Sequence, residues 1–184
     1  MGDIKKDKYK LVKNFLSKEE LEIGLHYLHL CHERNEINFD TDQNNNGDSM
    51  FYGDAFTDVM LIKKLAKMEE ETGLSLFPTY SFSRVYTYNA ELKKHKDRPS
   101  CEVSVSVMWG SCGTVWPFKV ENSSFELKGG DAIIYLGCEV EHWREPFEGD
   151  YHIQSFLHYV DKNGPNKEWK YDKRNKKTDP IMRK

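Results

Sequence analysis

Hydrophobic residues in the first third of the chain recur at helical spacing. The apolar positions are Leu21, Leu25, Leu28 and Cys31 or His32, which form one stripe along a helix. Ser17 and Glu20 have the spacing of a capping box, so this helix is predicted to begin there. A second helix is predicted from about Phe56 to Thr72, ending at Gly73. The pattern therefore predicts a helical first third.

From Leu76 onward the pattern changes to short segments rich in β-branched and aromatic residues, with partial alternation. The segments are PTYSFSRVYTY, CEVSVSVMW, TVWPFKV, SFELK, DAIIYLG and YHIQSFLHYV. Turn-forming Gly, Pro and Asn residues separate them. About six to eight short strands with no helix between them are typical of an antiparallel sandwich or barrel. We therefore expect an α+β protein with N-terminal helices packed on one sheet of a β core.

The chain of 184 residues suits a single domain. Helical support is predicted over about 1–74, the β core over about 75–161 and a charged tail over 162–184. Lys and Arg outnumber Asp and Glu in the tail, which favours a solvated, partly ordered segment over one that binds an acidic partner. The Asn-rich loop at 36–50 is compatible with a lid over an active site and with an ordinary surface loop.

Composition excludes several classes of protein. Charged residues make up 31% of the chain, but the formal net charge is only −3, so a dedicated nucleic-acid binder is not expected. No apolar run reaches the roughly 18 residues that a membrane span needs. The first residues lack the apolar core of a signal peptide, and the four cysteines form no CxxC pair. These features predict a cytoplasmic protein with reduced thiols, and they leave its oligomeric state open.

A candidate metal site lies within RVYTYNAELKKHKDRPSC. His95 and Asp97 are two residues apart at the end of an extended segment, and residues at that spacing share one face of a strand. His142, which follows DAIIYLG, is the best third ligand. Two histidines and one carboxylate form the facial triad typical of non-haem Fe(II) oxygenases. The His-x-Asp spacing alone is weak, because KKHKD is also compatible with a charged surface turn.

A rival histidine cluster occurs on the first predicted helix. His26, His29 and His32 follow one another at spacings of three residues. Neighbouring pairs could share an ion, but the third residue is displaced around the helix, and no carboxylate or cysteine set completes the site. A solvated or interfacial helix face is the better interpretation.

The segment YTYNAELKKHKD resembles the tyrosine-then-HxD segment of the 2-oxoglutarate/Fe(II)-dependent oxygenases, in particular the prolyl 4-hydroxylase-like branch. GTVWPFKV, LKGGDAIIYLGCEVEHW and FLHYVD resemble the later strands of that family, and the likeness spans about Ser81 to Asp161. It implies a double-stranded β-helix, which is a jelly-roll or cupin-like core. It also implies Fe(II), 2-oxoglutarate and O₂, and raises ascorbate as an auxiliary reductant.

The resemblance further implies the reaction. A C–H bond is hydroxylated, with succinate and CO₂ as coproducts, and a prolyl residue of a peptide or protein is the substrate that the nearest branch suggests. A free amino acid or another small molecule is nearly as plausible. The likeness makes His95, Asp97 and His142 the catalytic metal ligands, and Tyr86 a contact of the distal carboxylate of 2-oxoglutarate.

The sequence departs from the family where the distal carboxylate normally meets Arg or Lys, because this chain has His152 there. A buried carboxylate without a cation is costly, so another group must compensate it. The candidates are protonated His152, Gln154, Arg84 and Arg144. Bidentate pairing favours the two arginines, and Arg84 shares a strand face with Tyr86.

Three alternatives stay open at this stage. Arg144 could instead pair with Glu145 or Glu148 at the surface. The missing basic residue supports a catalytically silent β-helix module that binds a partner or ligand. A cupin-like metalloenzyme that does not use 2-oxoglutarate is the third possibility.

Overall fold

Two antiparallel sheets form the centre of the computed structural model, which describes residues 4–34 and 48–174. The strands are β1 Tyr9–Val12, β2 Ser49–Tyr52, β3 Leu76–Thr87, β4 Leu92–His95, β5 Val103–Ser111, β6 Phe118–Val120, β7 Ser123–Phe125, β8 Ala132–Tyr135, β9 His142–Arg144 and β10 Tyr151–Asp161. The larger sheet has the order β1-β8-β5-β10-β3-β2, and the smaller has the order β4-β9-β6-β7. This two-sheet arrangement is that of a double-stranded β-helix.

The described part of the first half of the chain has three α-helices: α1 Lys18–Glu33, α2 Ala55–Lys63 and α3 Leu65–Thr72. The predicted capping box is present, because Ser17 and Glu20 each accept a hydrogen bond from the other's backbone N–H. Gly73 ends α3 in the left-handed conformation. The predicted second helix is interrupted at Lys64, whose ammonium group is buried against the Glu20 carboxylate at 2.6 Å.

The helices pack on the larger sheet, as predicted, and form the main hydrophobic core with it. The approach of α1 depends on Gly24, since a Cβ atom there would lie 2.1 Å from the ring of Trp109 on β5. Successive side chains of β10 face opposite sides of the larger sheet. Ile153 and Leu157 face this core, whereas His152, Gln154 and Phe156 face the space between the sheets.

Sequence periodicity missed four short strands. The first third is not wholly helical, because β1 and β2 form the two edges of the larger sheet. Strands β4 and β9 of the smaller sheet, which carry His95 and His142, were also not predicted as separate elements. Each has only three or four residues, too few for a period to be recognised in sequence.

Part of the charged tail is folded. Residues Lys167–Lys173 form an irregular 3₁₀ segment that contacts β3, and none of these residues is buried. Positions 175–184 and most of the candidate lid, 35–47, lie outside the described residues. Among the described helices, none combines the length and apolar character that crossing a membrane requires.

Candidate metal centre and its cavity

The three predicted metal ligands come together between the sheets. Strands β4 and β9 pair so that His95 lies opposite His142, and Asp97 follows directly after β4. One oxygen of Asp97 lies 3.5 Å from Nε2 of His95 and 3.6 Å from Nε2 of His142. The three ligand atoms all lie within 4.8 Å of one another, so a single ion can contact all of them.

Both histidines present the correct nitrogen to a metal. Nδ1 of His95 lies 2.6 Å from the carbonyl oxygen of Lys93, and Nδ1 of His142 lies 3.3 Å from that of Val140. A carbonyl can only accept, so each Nδ1 carries the proton and each Nε2 has a free lone pair. Such backbone partners orient ligating histidines in known metal sites.

Asp97 is held in place by residues that sequence reasoning missed. Its backbone N–H donates to the carbonyl of Gly137 at 2.8 Å, and the hydroxyl of Ser104 donates to its second carboxylate oxygen at 3.2 Å. A Cβ atom on Gly137 would lie 2.2 Å from that oxygen and 2.4 Å from the carbonyl of Cys101. Only glycine leaves room for the carboxylate. The one sign of this role of Gly137 in the sequence is that a glycine ends the segment DAIIYLG.

The electrostatics of the cluster favour a bound cation. Burial raises the pKa of Asp97, but the imidazoles of His142 and His95 beside it outweigh this effect and hold that pKa well below its usual range. The carboxyl group is therefore ionised. Two imidazoles and one ionised carboxylate fit Fe(II) in a facial arrangement with coordination positions left open.

A cavity of about 190 Å³ opens beside the three ligands. Its wall also contains Arg84 and Tyr86 from β3, Tyr135 from β8 and aromatic rings that include Phe82 and Phe156. Burial raises the pKa of both Tyr86 and Tyr135, so the two phenols keep their protons. The cavity thus combines a metal-binding group with apolar walls and a few polar groups, as ligand sites commonly do. We call it the metal cavity.

Arg84 lies in the wall of the metal cavity with its charge already compensated. Its side chain forms a buried ion pair with Asp48, in which Nε lies 2.9 Å from the carboxylate. The other oxygen of Asp48 accepts hydrogen bonds from Thr87. The guanidinium carbon of Arg84 lies 4.3 Å from the ring centre of Tyr86, which confirms that the two residues share a strand face. Sequence reasoning did not identify Asp48.

Arg144 is also buried, with 2% of its surface exposed. It donates to the backbone carbonyl of Trp116 and, at 3.0 Å, to the side-chain oxygen of Gln154. The alternative of a surface pair with Glu145 or Glu148 is wrong, since Arg144 is not at the surface and Glu145 pairs with Lys119. Burial lowers the pKa of Arg144 to about 10, so it stays a cation at neutral pH.

His152 and Gln154 complete a polar group with Arg144, which we call the Arg144 cluster. His152 lies opposite Tyr86 in the sheet, and its Nε2 donates to the oxygen of Gln154 at 2.7 Å. Burial and the neighbouring Arg144 lower the pKa of His152 to about 3. His152 is therefore neutral at neutral pH and, of the four candidates, does not supply the positive charge. The amide nitrogen of Gln154 donates to Ser106 at 2.6 Å.

The rival histidines of α1 do not form a metal cluster within the described parts of the chain. His29 lies 3.6 Å from Glu33, and His32 shares a hydrogen bond of 2.8 Å with Ser49. A second grouping is adjacent to the main one: His158 and Cys101 lie beside Asp97. Nδ1 of His158 and the hydroxyl of Ser104 share a hydrogen bond of 2.8 Å, which extends the polar surroundings of the Asp97 carboxylate.

A second cavity, of about 410 Å³, adjoins the metal cavity, and Tyr80 and Phe82 line both. Its wall also includes Tyr52, Arg98 and Asp172. Asp172 belongs to the folded part of the tail and accepts hydrogen bonds from Tyr52 and, at 2.9 Å, from Arg98. The tail thus contributes to the surface beside the candidate site, which the sequence did not reveal. We call this space the outer cavity.

Comparison with known proteins gives no sequence match, either to a family model or to a curated relative. Solved structures do match in fold. A prolyl-4-hydroxylase from Pseudomonas putida is 16% identical, with a TM-score of 0.67 over 86% of this chain and 95% of the other. EctD from S. alaskensis, solved with 2-oxoglutarate and 5-hydroxyectoine, is 12% identical, with a TM-score of 0.69 over 86% and 74%. The chain has the fold of the 2-oxoglutarate/Fe(II) oxygenases.

A further match to this oxygenase fold is a prolyl hydroxylase from Trichoplax adhaerens, in complex with a peptide fragment of hypoxia inducible factor. It is 15% identical, with a TM-score of 0.64 over 87% of this chain and 86% of the other. These likenesses confirm the double-stranded β-helix and the prolyl 4-hydroxylase-like architecture predicted from the sequence. At such low identity they establish the oxygenase fold, and the chemistry has to be argued from the residues of the site.

Proposed function

We propose that this protein is a 2-oxoglutarate- and Fe(II)-dependent dioxygenase that hydroxylates a C–H bond, with His95, Asp97 and His142 as the iron ligands. The observation that carries the proposal is the convergence of two free imidazole nitrogens and one ionised carboxylate at an interior cavity of this fold. Bound Fe(II) supplies O₂ activation coupled to oxidative decarboxylation of 2-oxoglutarate, which yields succinate and CO₂.

The residues of the chain have defined tasks in this proposal. Asp97 contributes the negative charge that favours a divalent cation, and its contacts with Gly137 and Ser104 fix the position of the carboxylate. Hydrogen bonds to backbone carbonyls hold His95 and His142 with Nε2 toward the ion. The rings that line the metal cavity limit access of water to the reacting groups.

We propose a prolyl residue of a peptide or protein as the substrate. The outer cavity supports this choice because it adjoins the metal cavity and has the rings of Tyr52, Tyr80 and Phe82 in its wall. An aromatic surface suits a pyrrolidine ring. Arg98, whose side chain is about half exposed, can donate a hydrogen bond to a peptide carbonyl beside it. A free amino acid or another small metabolite is the competing substrate class.

The test begins with anaerobic titration of Fe(II)-loaded protein with 2-oxoglutarate, monitored by the visible charge-transfer absorption. Asp97→Ala serves as the variant because it removes the only carboxylate of the ligand set. We expect an absorption band in the natural protein and none in the variant. Circular dichroism of both proteins establishes that the variant is folded.

Aerobic turnover then identifies the substrate. Proline-containing peptides and free amino acids are incubated with the protein, 2-oxoglutarate and ascorbate, and mass spectrometry detects products that gain one oxygen atom. Succinate release that depends on one of these compounds supports hydroxylation. If free amino acids are hydroxylated and the peptides are not, the prolyl-peptide substrate is wrong. The oxygenase function would still stand.

A second candidate function is supported by the neutral His152 at the position where the family has Arg or Lys. It is a β-helix module that binds a ligand without catalysis, or a metalloenzyme that does not use 2-oxoglutarate. Iron retained without the absorption band would favour the metalloenzyme. Folded protein that binds neither iron nor 2-oxoglutarate would favour the binding module.

A further inference from the structure

Arg144 is a buried cation that pairs with no carboxylate among residues 4–34 and 48–174. Its Nε atom is buried and has no hydrogen-bond partner there, although the other two nitrogens donate to Trp116 and Gln154. A buried charge without a counter-charge is costly, so protein interiors normally supply one. Arg84 follows this rule through Asp48. Arg144 is the exception, because the described residues supply no carboxylate to balance its charge.

The position of Arg144 relates that anion to the metal cavity. Arg144 follows His142 by two residues on β9, and both side chains are buried on the inner face of the strand. Residues at this spacing in a strand are roughly 6–7 Å apart. The charge of Arg144 also acts on the phenols of Tyr86 and Tyr135, which line the metal cavity. One short strand therefore carries a metal ligand and a buried cation on the same inner face, and the cation lies next to two phenols of the cavity wall without being part of that wall itself.

The neighbouring polar groups are less suitable partners for an anion. His152 is neutral and donates to Gln154, and the amide nitrogen of Gln154 is used by Ser106. Arg84 already pairs with Asp48. The rings of Trp116 and Phe118 lie against the guanidinium group of Arg144, but no carboxylate of the described residues does. A guanidinium group suits a carboxylate better than any other side chain does.

We infer that Arg144, on the strand of the distal histidine, binds the remote carboxylate of 2-oxoglutarate in place of a basic residue on β10. The inference rests on the proposed function, which supplies the dicarboxylate. A divalent metal, Asp97 and a dicarboxylate together have one excess negative charge, which Arg144 cancels. Tyr86, whose phenol stays protonated, is placed to donate a second hydrogen bond to the same carboxylate.

The test compares two ligands that differ only at the remote end. 2-Oxoglutarate has a carboxylate there and 2-oxopentanoate has a methyl group, while both have the same metal-chelating end. Isothermal titration calorimetry on Zn(II)-loaded protein measures both affinities for the natural chain, Arg144→Gln and Arg144→Lys. The control is Lys119→Gln, which removes an exposed cation from the neighbouring strand β6.

We expect the natural protein and Lys119→Gln to prefer 2-oxoglutarate, and Arg144→Gln to lose about 10- to 100-fold of that preference with its 2-oxopentanoate affinity unchanged. Arg144→Lys should lie between them, and it provides the answer if Arg144→Gln does not fold. A preference that persists in both variants overturns the assignment, as does equal weakening of both ligands, and the proposed function stands in either case. Natural protein that binds neither ligand overturns the proposed function, and this inference with it.

Discussion

The metal cavity and the Arg144 cluster are neighbouring polar regions that differ in how their charges are balanced. In the metal cavity, Asp97 lies against two histidines and Arg84 pairs with Asp48. In the Arg144 cluster, a buried cation meets a backbone carbonyl, the neutral Gln154 and the rings of Trp116 and Phe118, but no carboxylate of the described residues. The first region has its own counter-charges, whereas the second lacks one among the described residues.

This difference separates charged side chains that are balanced within the protein from a charged side chain that a bound ligand would balance. A compensated ion pair such as Asp48–Arg84 stabilises the position of a strand without any ligand. A buried cation without a carboxylate lowers the stability of the ligand-free protein, and a bound anion restores it. Anion binding and folding stability are therefore coupled at Arg144.

Asp48→Ala should remove the carboxylate that balances Arg84. Breaking a buried ion pair by removing one partner typically costs about 3–5 kcal/mol. We expect a loss of that size in the free energy of unfolding, measured by urea denaturation. Glu139→Ala, which breaks the exposed pair with Lys8, should leave this free energy nearly unchanged. Equal effects of the two substitutions would mean that Asp48 does not compensate Arg84.

Gly137→Ala should displace the Asp97 carboxylate from its position in the metal cavity. The added methyl group would meet the carboxylate of Asp97 and force it away from the two histidines. We expect metal affinity to fall about 10- to 100-fold, as it does when an outer partner of a ligand is lost. Competition with a chelating dye measures this affinity. Gly113→Ala is the matched control for backbone strain, because that glycine has a φ of +100° but no heavy atom within 4 Å of an added Cβ. It should keep its metal affinity, and unchanged affinity in Gly137→Ala would refute the crowding argument.

The pH dependence of stability should report the neutral state of His152. The unfolded chain protonates this imidazole near its ordinary pKa of 6.5, but the folded protein does so only near 3. Acid therefore favours unfolding across this window, with up to about 1.4 kcal/mol lost per pH unit. Between pH 7 and pH 5, the natural protein should lose roughly 2 kcal/mol more than His152→Gln. Urea unfolding at both pH values measures this difference, and parallel losses would mean that His152 is not held neutral.

The sequence alone predicted the features that depend on neighbours along the chain. Helix α1 with its capping box, the long inner strands and the shared face of Arg84 and Tyr86 follow from spacing within one element. The grouping of His95 with Asp97 also required only local spacing. The assignment of His142 as the third metal ligand required the resemblance to a known family, because His142 lies on another strand.

Tertiary structure decided the features that depend on residues far apart in sequence. Asp48 compensates Arg84 across 36 positions, and Gly137 makes room for Asp97 from the turn after β8. The neutral state of His152, and the lack of a carboxylate beside Arg144 in the described part of the chain, likewise arise from burial between two sheets. Periodicity specifies which face a side chain occupies. The charge that it meets on that face is set by the strands and loops that packing brings against it, since electrostatic and steric effects act through space.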